Sequence, residues 1–184
     1  GTRCAIAYAN KKNIINIDTI FEAYDGVHKA SVLDDELIEM QMKINSKIIK
    51  NDYGLWVDTG SPHLIIETSN TDDIDVEKEG KLIRYSDNFR ENGVNVNYVQ
   101  KISDEVFKIR TYERGVEYET MACGTGSTAS ALCMNYLDKT TKNEIKMKCL
   151  GGDLIIKFQE KGKEYSRITH IGPAQEVFKG SFVV

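Results

Sequence analysis

Long apolar runs are missing from this chain. No stretch approaches the roughly 18–20 residues that a bilayer-spanning helix needs, so a membrane protein is not expected. An excess of positive charge is missing too. The 24 Lys and Arg are outnumbered by 28 Asp and Glu, giving a net charge of −4, so there is no electrostatic footprint for nucleic acid. Two prolines and 14 glycines among 184 residues exclude collagen-like and low-complexity compositions. No signal-peptide pattern opens the chain. There is no initiator Met either: the sequence starts at Gly1 inside what reads as a motif, which predicts a fragment or a processed product. Cysteine is scarce, with Cys4, Cys123, Cys133 and Cys149 only. Their spacings fit no zinc pattern, and four are too few for a disulfide framework at this length. Reduced thiols in a cytoplasmic protein, without a metal, are the expectation.

What is present reads mostly as strands. At 41% hydrophobic residues the chain can bury one large core or two small ones. Alternating apolar runs over 20–23 and 27–31, split by Asp25-Gly26, predict a hairpin. Runs over 55–57 and 64–67 flank a turn at 58–63. Further strands are predicted over 94–100 and 106–112. Gly151-Gly152-Asp153 separates a pair over 145–149 and 154–158, and Lys179-Gly180 separates a pair over 176–178 and 181–184. Helices are fewer: 2–10, 75–85 with an acidic first turn that suits the dipole, and 127–137. In the last, Ala129, Cys133 and Leu137 repeat at helical spacing. The first and last of these helices share a pattern of glycine, hydroxyl residue, then small apolar residues, which suggests an internal repeat.

The most informative stretch is Met121-Ala122-Cys123-Gly124-Thr125-Gly126-Ser127-Thr128. A cysteine stands just before two glycines and a predicted helix start, where free N–H groups favour an anion. A free thiol with pKa ~8.5 is mostly protonated at neutral pH, and lowering it by two units needs roughly 2.7 kcal/mol. A helix N-terminus supplies ~0.3–1 kcal/mol, ~2 at best. Further donors or a cation are needed for an ionised resting thiol. The residues alone leave open a buried cysteine beside a tight turn. Glu113-Arg114 ends a strand and suits a zwitterion, Glu113 for an ammonium and Arg114 for a carboxylate; two solvated charges are the plainer reading. His63 sits in the turn Gly60-Ser61-Pro62-His63. Asn95 and Asn97 share one strand face, as pocket hydrogen-bonders or as a solvent face. Cys4, Cys133 and Cys149 read as core residues, and His28 and His170 as structural or surface groups.

Together these residues resemble the diaminopimelate epimerase family. The resemblance runs through Gly60-Ser61-Pro62-His63, Gly93-Val94-Asn95-Val96-Asn97-Tyr98, Arg110-Thr111-Tyr112-Glu113-Arg114-Gly115 and Glu119-Thr120-Met121-Ala122-Cys123-Gly124-Thr125-Gly126. It continues through Ile171-Gly172-Pro173-Ala174 and Val177-Phe178-Lys179-Gly180. Phe21-Glu22-Ala23-Tyr24-Asp25-Gly26 also fits, and Gly1-Thr2-Arg3-Cys4 fits as the tail of the family's first cysteine motif.

The resemblance implies an α/β (α+β) fold of two similar domains, each a curled, mostly antiparallel sheet around a central helix, with the site between them. Residues 1–42 would be the remainder of an incomplete first domain, 43–174 the second, and 175–184 a strand returning to the first. The implied reaction is epimerisation of LL-diaminopimelate to meso-diaminopimelate, with no cofactor, by two cysteines that face the α-carbon from opposite sides. Cys123 resembles the second of these. Gly124 and Thr125 would offer N–H groups to the α-carboxylate, with His63 and Glu113 as auxiliary catalytic groups. Ser61, Asn95, Glu113 and Arg114 would contact the substrate. Two departures stand out. Ser61 occupies a position that is commonly Asn, and the first catalytic cysteine would fall before Gly1. The partner is a small molecule, with neither nucleic acid nor membrane, and a homodimer is compatible. Alternatives are a proline or hydroxyproline racemase, a phenazine-type isomerase, an inactive fragment, or a thiol hydrolase pairing Cys123 with His63.

Overall fold

The computed structural model describes residues 1–23, 26–34 and 37–181. The chain divides into two compact units: Gly1–Met40 together with the segment from Ile171 onward, and Gln41–His170.

In the first unit, helix α1 (Thr2–Lys11) is followed by β1 (Asp18–Ala23), β2 (Gly26–Val32) and β3 (Leu37–Gln41). β1 and β2 pair antiparallel with Ala23 opposite Gly26, and β2 pairs antiparallel with β3. This is the predicted hairpin; its turn residue Asp25 lies outside the described residues. Ile6 is the one buried residue of α1, and it packs in a small cluster with Ala30, Ile38 and Met40. Two expectations fail here. Cys4 is exposed rather than core, because the buried stripe of α1 runs through Ile6. Glu176–Phe178 form no strand, and Val177 and Phe178 are more than four-fifths exposed, so no sheet face holds them. Residues 182–184 of the expected partner strand lie outside the described residues.

The second unit contains β4 (Ile49–Asn51), β5 (Gly54–Asp58), β6 (Pro62–Glu67), α2 (Val76–Arg84), β7 (Asn95–Lys101) and β8 (Val106–Glu113). It continues through β9 (Tyr118–Thr120), α3 (Gly124–Tyr136), β10 (Glu144–Cys149), β11 (Gly152–Lys161) and, up to His170, β12 (Glu164–Pro173). Their spatial order is β12-β11-β10-β8-β7-β6-β5-β4, with β9 on β8. β6/β7 and β8/β10 are parallel pairs. The other pairs from β4 to β11, β9 included, are antiparallel.

Period-two alternation sorts the side chains of this sheet onto two helices. One face carries Leu64, Val96, Tyr98 and Tyr112 in a cluster that includes Val76 and Ile83 of α2. Asp75 caps α2 by accepting from the Lys78 N–H at 3.1 Å, and Glu77 and Glu79 lie in its first turn. The glycine inside α2 has a packing reason: a Cβ at Gly80 would run into the Tyr112 side chain. The other face meets α3, which is buried without interruption from Gly126 to Asn135. Ala129, Ala131, Leu132, Cys133 and Met134 pack there against Ile65, Val99, Phe107, Ile109, Met147 and Ile156. A helix of small and apolar residues without a charge suits a core, and α3 is the axis of this one, burying Ser127, Thr128, Ser130 and Asn135 along with its apolar residues. It starts at Gly124, three residues earlier than the apolar spacing predicts, because small residues carry the first turn.

Candidate active site

The alternation that sends Ile65 and Val99 to α3 sends His63, Asn95, Asn97 and Thr111 to the same face. Register aligns them: His63 is opposite Asn95, and Asn97 is opposite Thr111. All four are buried. His63 and Asn97 meet the first turn of α3, where Cys123 is the N-cap residue in extended conformation, 8% exposed.

The contacts form a continuous series. The Thr111 hydroxyl donates to Asn97 Oδ1 at 3.0 Å. Asn97 Nδ2 lies 3.1 Å from His63 Nδ1, and His63 Nε2 lies 2.9 Å from Thr125 Oγ1. Thr125 Oγ1 is 3.5 Å from Cys123 Sγ. The Thr59 hydroxyl holds the turn by donating to the Thr125 carbonyl at 2.9 Å. Gly126 makes the approach feasible, since a Cβ there would sit 2.5 Å from Asn97 Oδ1 and 3.2 Å from His63 Cε1. Gly124 does the same for His170, whose Cε1 would lie 2.7 Å from an added Cβ.

A second group lies at the end of β8. Asn95 Nδ2 donates to Ser61 Oγ at 2.8 Å and to the Pro62 carbonyl at 2.9 Å, while Asn95 Oδ1 accepts from the Arg114 N–H at 2.8 Å. The shorter Ser61 thus reaches Asn95 directly. The Arg114 guanidinium donates to the Asn92 carbonyl at 2.6 Å and lies 3.5 Å from Ser61 Oγ. Glu113 accepts from the Thr120 hydroxyl at 2.9 Å. Arg110, part of the same motif, is not in the site. It forms a two-pronged pair with Glu119, both contacts 2.7 Å, and donates to the Thr71 and Ile74 carbonyls.

Burial sets the electrostatics. It holds the His63 imidazole down to about 3, with the nearby Arg114 cation acting in the same direction, so His63 is neutral at physiological pH. Burial, helped by the Glu113 carboxylate, pushes the Cys123 thiol up to about 11, against the pull of the Thr125 hydroxyl and the Gly126 N–H. The extra donors that an ionised thiol requires are present, but desolvation outweighs them, and Cys123 rests as a thiol. Cys123 reaches His63 through the Thr125 hydroxyl rather than directly, which disfavours a cysteine–histidine nucleophile pair. Among the described residues, no group of three or more His, Cys, Asp or Glu is placed to hold a metal ion, and no helix is long and apolar enough to cross a membrane. Asn95 and Asn97 are thus pocket hydrogen-bonders and not a solvent face. Thr111 and Thr59 were not singled out as site residues by sequence; for Thr111, the β7/β8 register that brings it to Asn97 is the missing signal.

The chain has clear relatives. A family model described as diaminopimelate epimerase matches residues 55–177. The diaminopimelate epimerase of Flavobacterium psychrophilum is 42% identical over 179 residues, 97% of this chain and 70% of that protein. That of Aquifex aeolicus is 34% identical, covering 98% of this chain and 67% of its own length. Among solved structures, a phenazine biosynthesis protein of the PhzF family from Bacillus anthracis superposes with a TM-score of 0.71 at 12% identity, over 95% of this chain and 73% of that one. A probable proline racemase from Agrobacterium radiobacter superposes with a TM-score of 0.66 at 13% identity, over the whole of this chain and 66% of that one. At such identities these two structures speak for the fold alone.

Proposed function

The chain belongs to the diaminopimelate epimerase family, and from that premise we propose that it serves the cofactor-independent epimerisation of LL- to meso-diaminopimelate, in the cytoplasm, with Cys123 as one of two acid–base groups. The observation that carries this reading is the seat of Cys123: a buried sulfur at the N-cap of α3, beside amides that have no acceptor within the helix.

In one direction the Cys123 thiol gives its proton to the α-carbanion, and the electron pair left on sulfur makes a thiolate. In the other direction that thiolate takes the α-proton, and the C–H electron pair passes into the carboxylate as an enolate. The Gly124 and Thr125 N–H groups would bind that carboxylate, where positive helix-end potential stabilises the developing charge. A thiol pushed up to about 11 gives a more basic thiolate, which suits removal of a weakly acidic α-proton. Glu113, already beside the sulfur electrostatically, would take the α-ammonium. Ser61, Asn95 and Arg114 would hold the distal polar end. Inversion also needs an acid–base group on the other face of the α-carbon, which the family resemblance assigns to the first cysteine of its N-terminal motif.

The racemase and phenazine-type readings share this fold, but relatives at 34–42% identity favour diaminopimelate. The test is incubation with each diaminopimelate isomer in heavy water, following α-hydrogen exchange by mass and configuration by chiral chromatography. In protein that carries both cysteines, Cys123→Ala should abolish both, with little loss of fold, because the residue is small and sits at a turn. Near-wild-type turnover by that variant would refute the assignment.

A further inference from the structure

The hydrogen-bond series ending at Cys123 has a direction, and the direction is fixed at Asn97. The side-chain nitrogen of Asn97 faces the Leu64 carbonyl at 3.1 Å and the Asn95 carbonyl at 3.2 Å. Carbonyl oxygens cannot donate, so the end facing them must be the NH2 group. The amide oxygen at the other end accepts from Thr111. The same NH2 group faces His63 Nδ1, which must therefore present its lone pair. The ring proton then sits on Nε2 and points at Thr125 Oγ1. That oxygen accepts from His63, and its single proton is left for the Cys123 sulfur. We propose that Asn97 and Thr111 are positioning residues of this site: by holding His63 in the Nε2–H tautomer, they aim the Thr125 hydroxyl proton at Cys123.

The inference rests on the reading of Cys123 as an acid–base group. Every link donates toward the sulfur, and such chains polarise one another. The thiolate, formed whenever Cys123 has given up its proton, gains a donor oriented before the reaction begins. Other groups also act on the sulfur. Glu113 on β8 and Cys149 on β10 oppose the thiolate, while the Gly126 N–H supports it. His170 on β12 packs against Gly124, and Arg114 acts on His63. The Thr125 hydroxyl is the contribution that one atom's removal isolates.

The experiment has two arms, neither of which requires turnover. Nitrogen-15 spectra of histidine-labelled protein should show His63 neutral with the Nε2–H tautomer. Asn97→Asp, whose carboxylate can only accept from the ring, should move it to Nδ1–H; if that variant does not fold, the wild-type spectrum still decides. An Nδ1–H or cationic His63 in the wild type overturns the proposal. In the second arm, iodoacetamide alkylation of Cys123 is followed by peptide mass at fixed alkaline pH. Losing a hydrogen bond to a charged group lowers the thiolate fraction about ten- to a hundredfold at fixed pH. After allowing for the greater nucleophilicity of a more basic thiolate, Thr125→Val should be alkylated about three- to tenfold more slowly and Thr125→Ser at about the wild-type rate. Equal rates for Thr125→Val and wild type overturn the proposal. Absence of diaminopimelate turnover by protein that carries both cysteines, with both arms as expected, would instead sink the functional reading and leave the relay standing.

Discussion

Replacing Gly126 with alanine pits two effects of known sign against each other. In a helix interior, alanine is favoured over glycine by about 1 kcal/mol, through lower backbone entropy in the unfolded chain. Against that, the new Cβ would sit 2.5 Å from Asn97 Oδ1, 3.2 Å from His63 Cε1 and 3.3 Å from Cys123 Cβ. Overpacking a tight core typically costs about 1–3 kcal/mol, and it is cheap only where a neighbour can retreat. Asn97 cannot retreat freely, being held by Thr111, His63 and the Leu64 and Asn95 carbonyls. Moving it gives up at least one buried hydrogen bond, worth about 1 kcal/mol. The balance is a net destabilisation of about 1–3 kcal/mol, with Cys123 and His63 displaced. Urea unfolding measures it, as a lower midpoint with an unchanged slope. Alkylation of Cys123 should change in the same variant. A Gly126→Ala protein as stable as wild type, with unchanged Cys123 reactivity, would refute the claim that this glycine exists for close approach.

Two more predictions concern charge. His63 is held down to about 3 in the folded state, against 6.5 for an ordinary solvated imidazole, so between those values the unfolded chain binds the extra proton. Stability should therefore be intact above pH 6.5 and fall on acidification at up to about 1.4 kcal/mol per pH unit; urea unfolding of wild type and His63→Gln across this range checks it, and equal slopes would exclude His63 as the cause. Arg110→Ala strands Glu119 and the Thr71 and Ile74 carbonyls where both side chains of the pair are less than one-fifth exposed, so a loss of about 2–4 kcal/mol is expected, and a change within 0.5 kcal/mol (about the scatter of surface substitutions) would show that the pair is idle.

How much of this could be read from the sequence depended on whether the signal was local. α2 announced itself by its acidic first turn, and the pairs β1/β2, β5/β6 and β10/β11 by turn residues between apolar runs. The strands that went unread, β3, β4, β9 and β12, are short or lack period-two apolar alternation along much of their length, as in Glu164–Arg167. Glu176–Phe178 shows the converse: a strand-like triplet in the sequence is not by itself a strand.

The site divides along the same line. Cys123, Gly124 and Thr125 were legible because a cysteine before glycines at a helix start is a contiguous pattern with a physical consequence. Asn97 was legible only as one of two asparagines on a strand face, pocket or solvent, and Thr111 not at all, because what each one faces is decided by strand register. β6 and β7 run parallel, so a crossover through α2 must bring them together, and sliding that register by one residue would turn His63 or Asn97 toward the α2 cluster. The direction of the relay is less legible still. It follows from which end of one amide meets two backbone carbonyls, and those carbonyls belong to residues whose side chains say nothing about it. A cysteine's identity was thus written in its neighbours along the chain, whereas the donor aimed at its sulfur depends on a tautomer that only the assembled sheet can set.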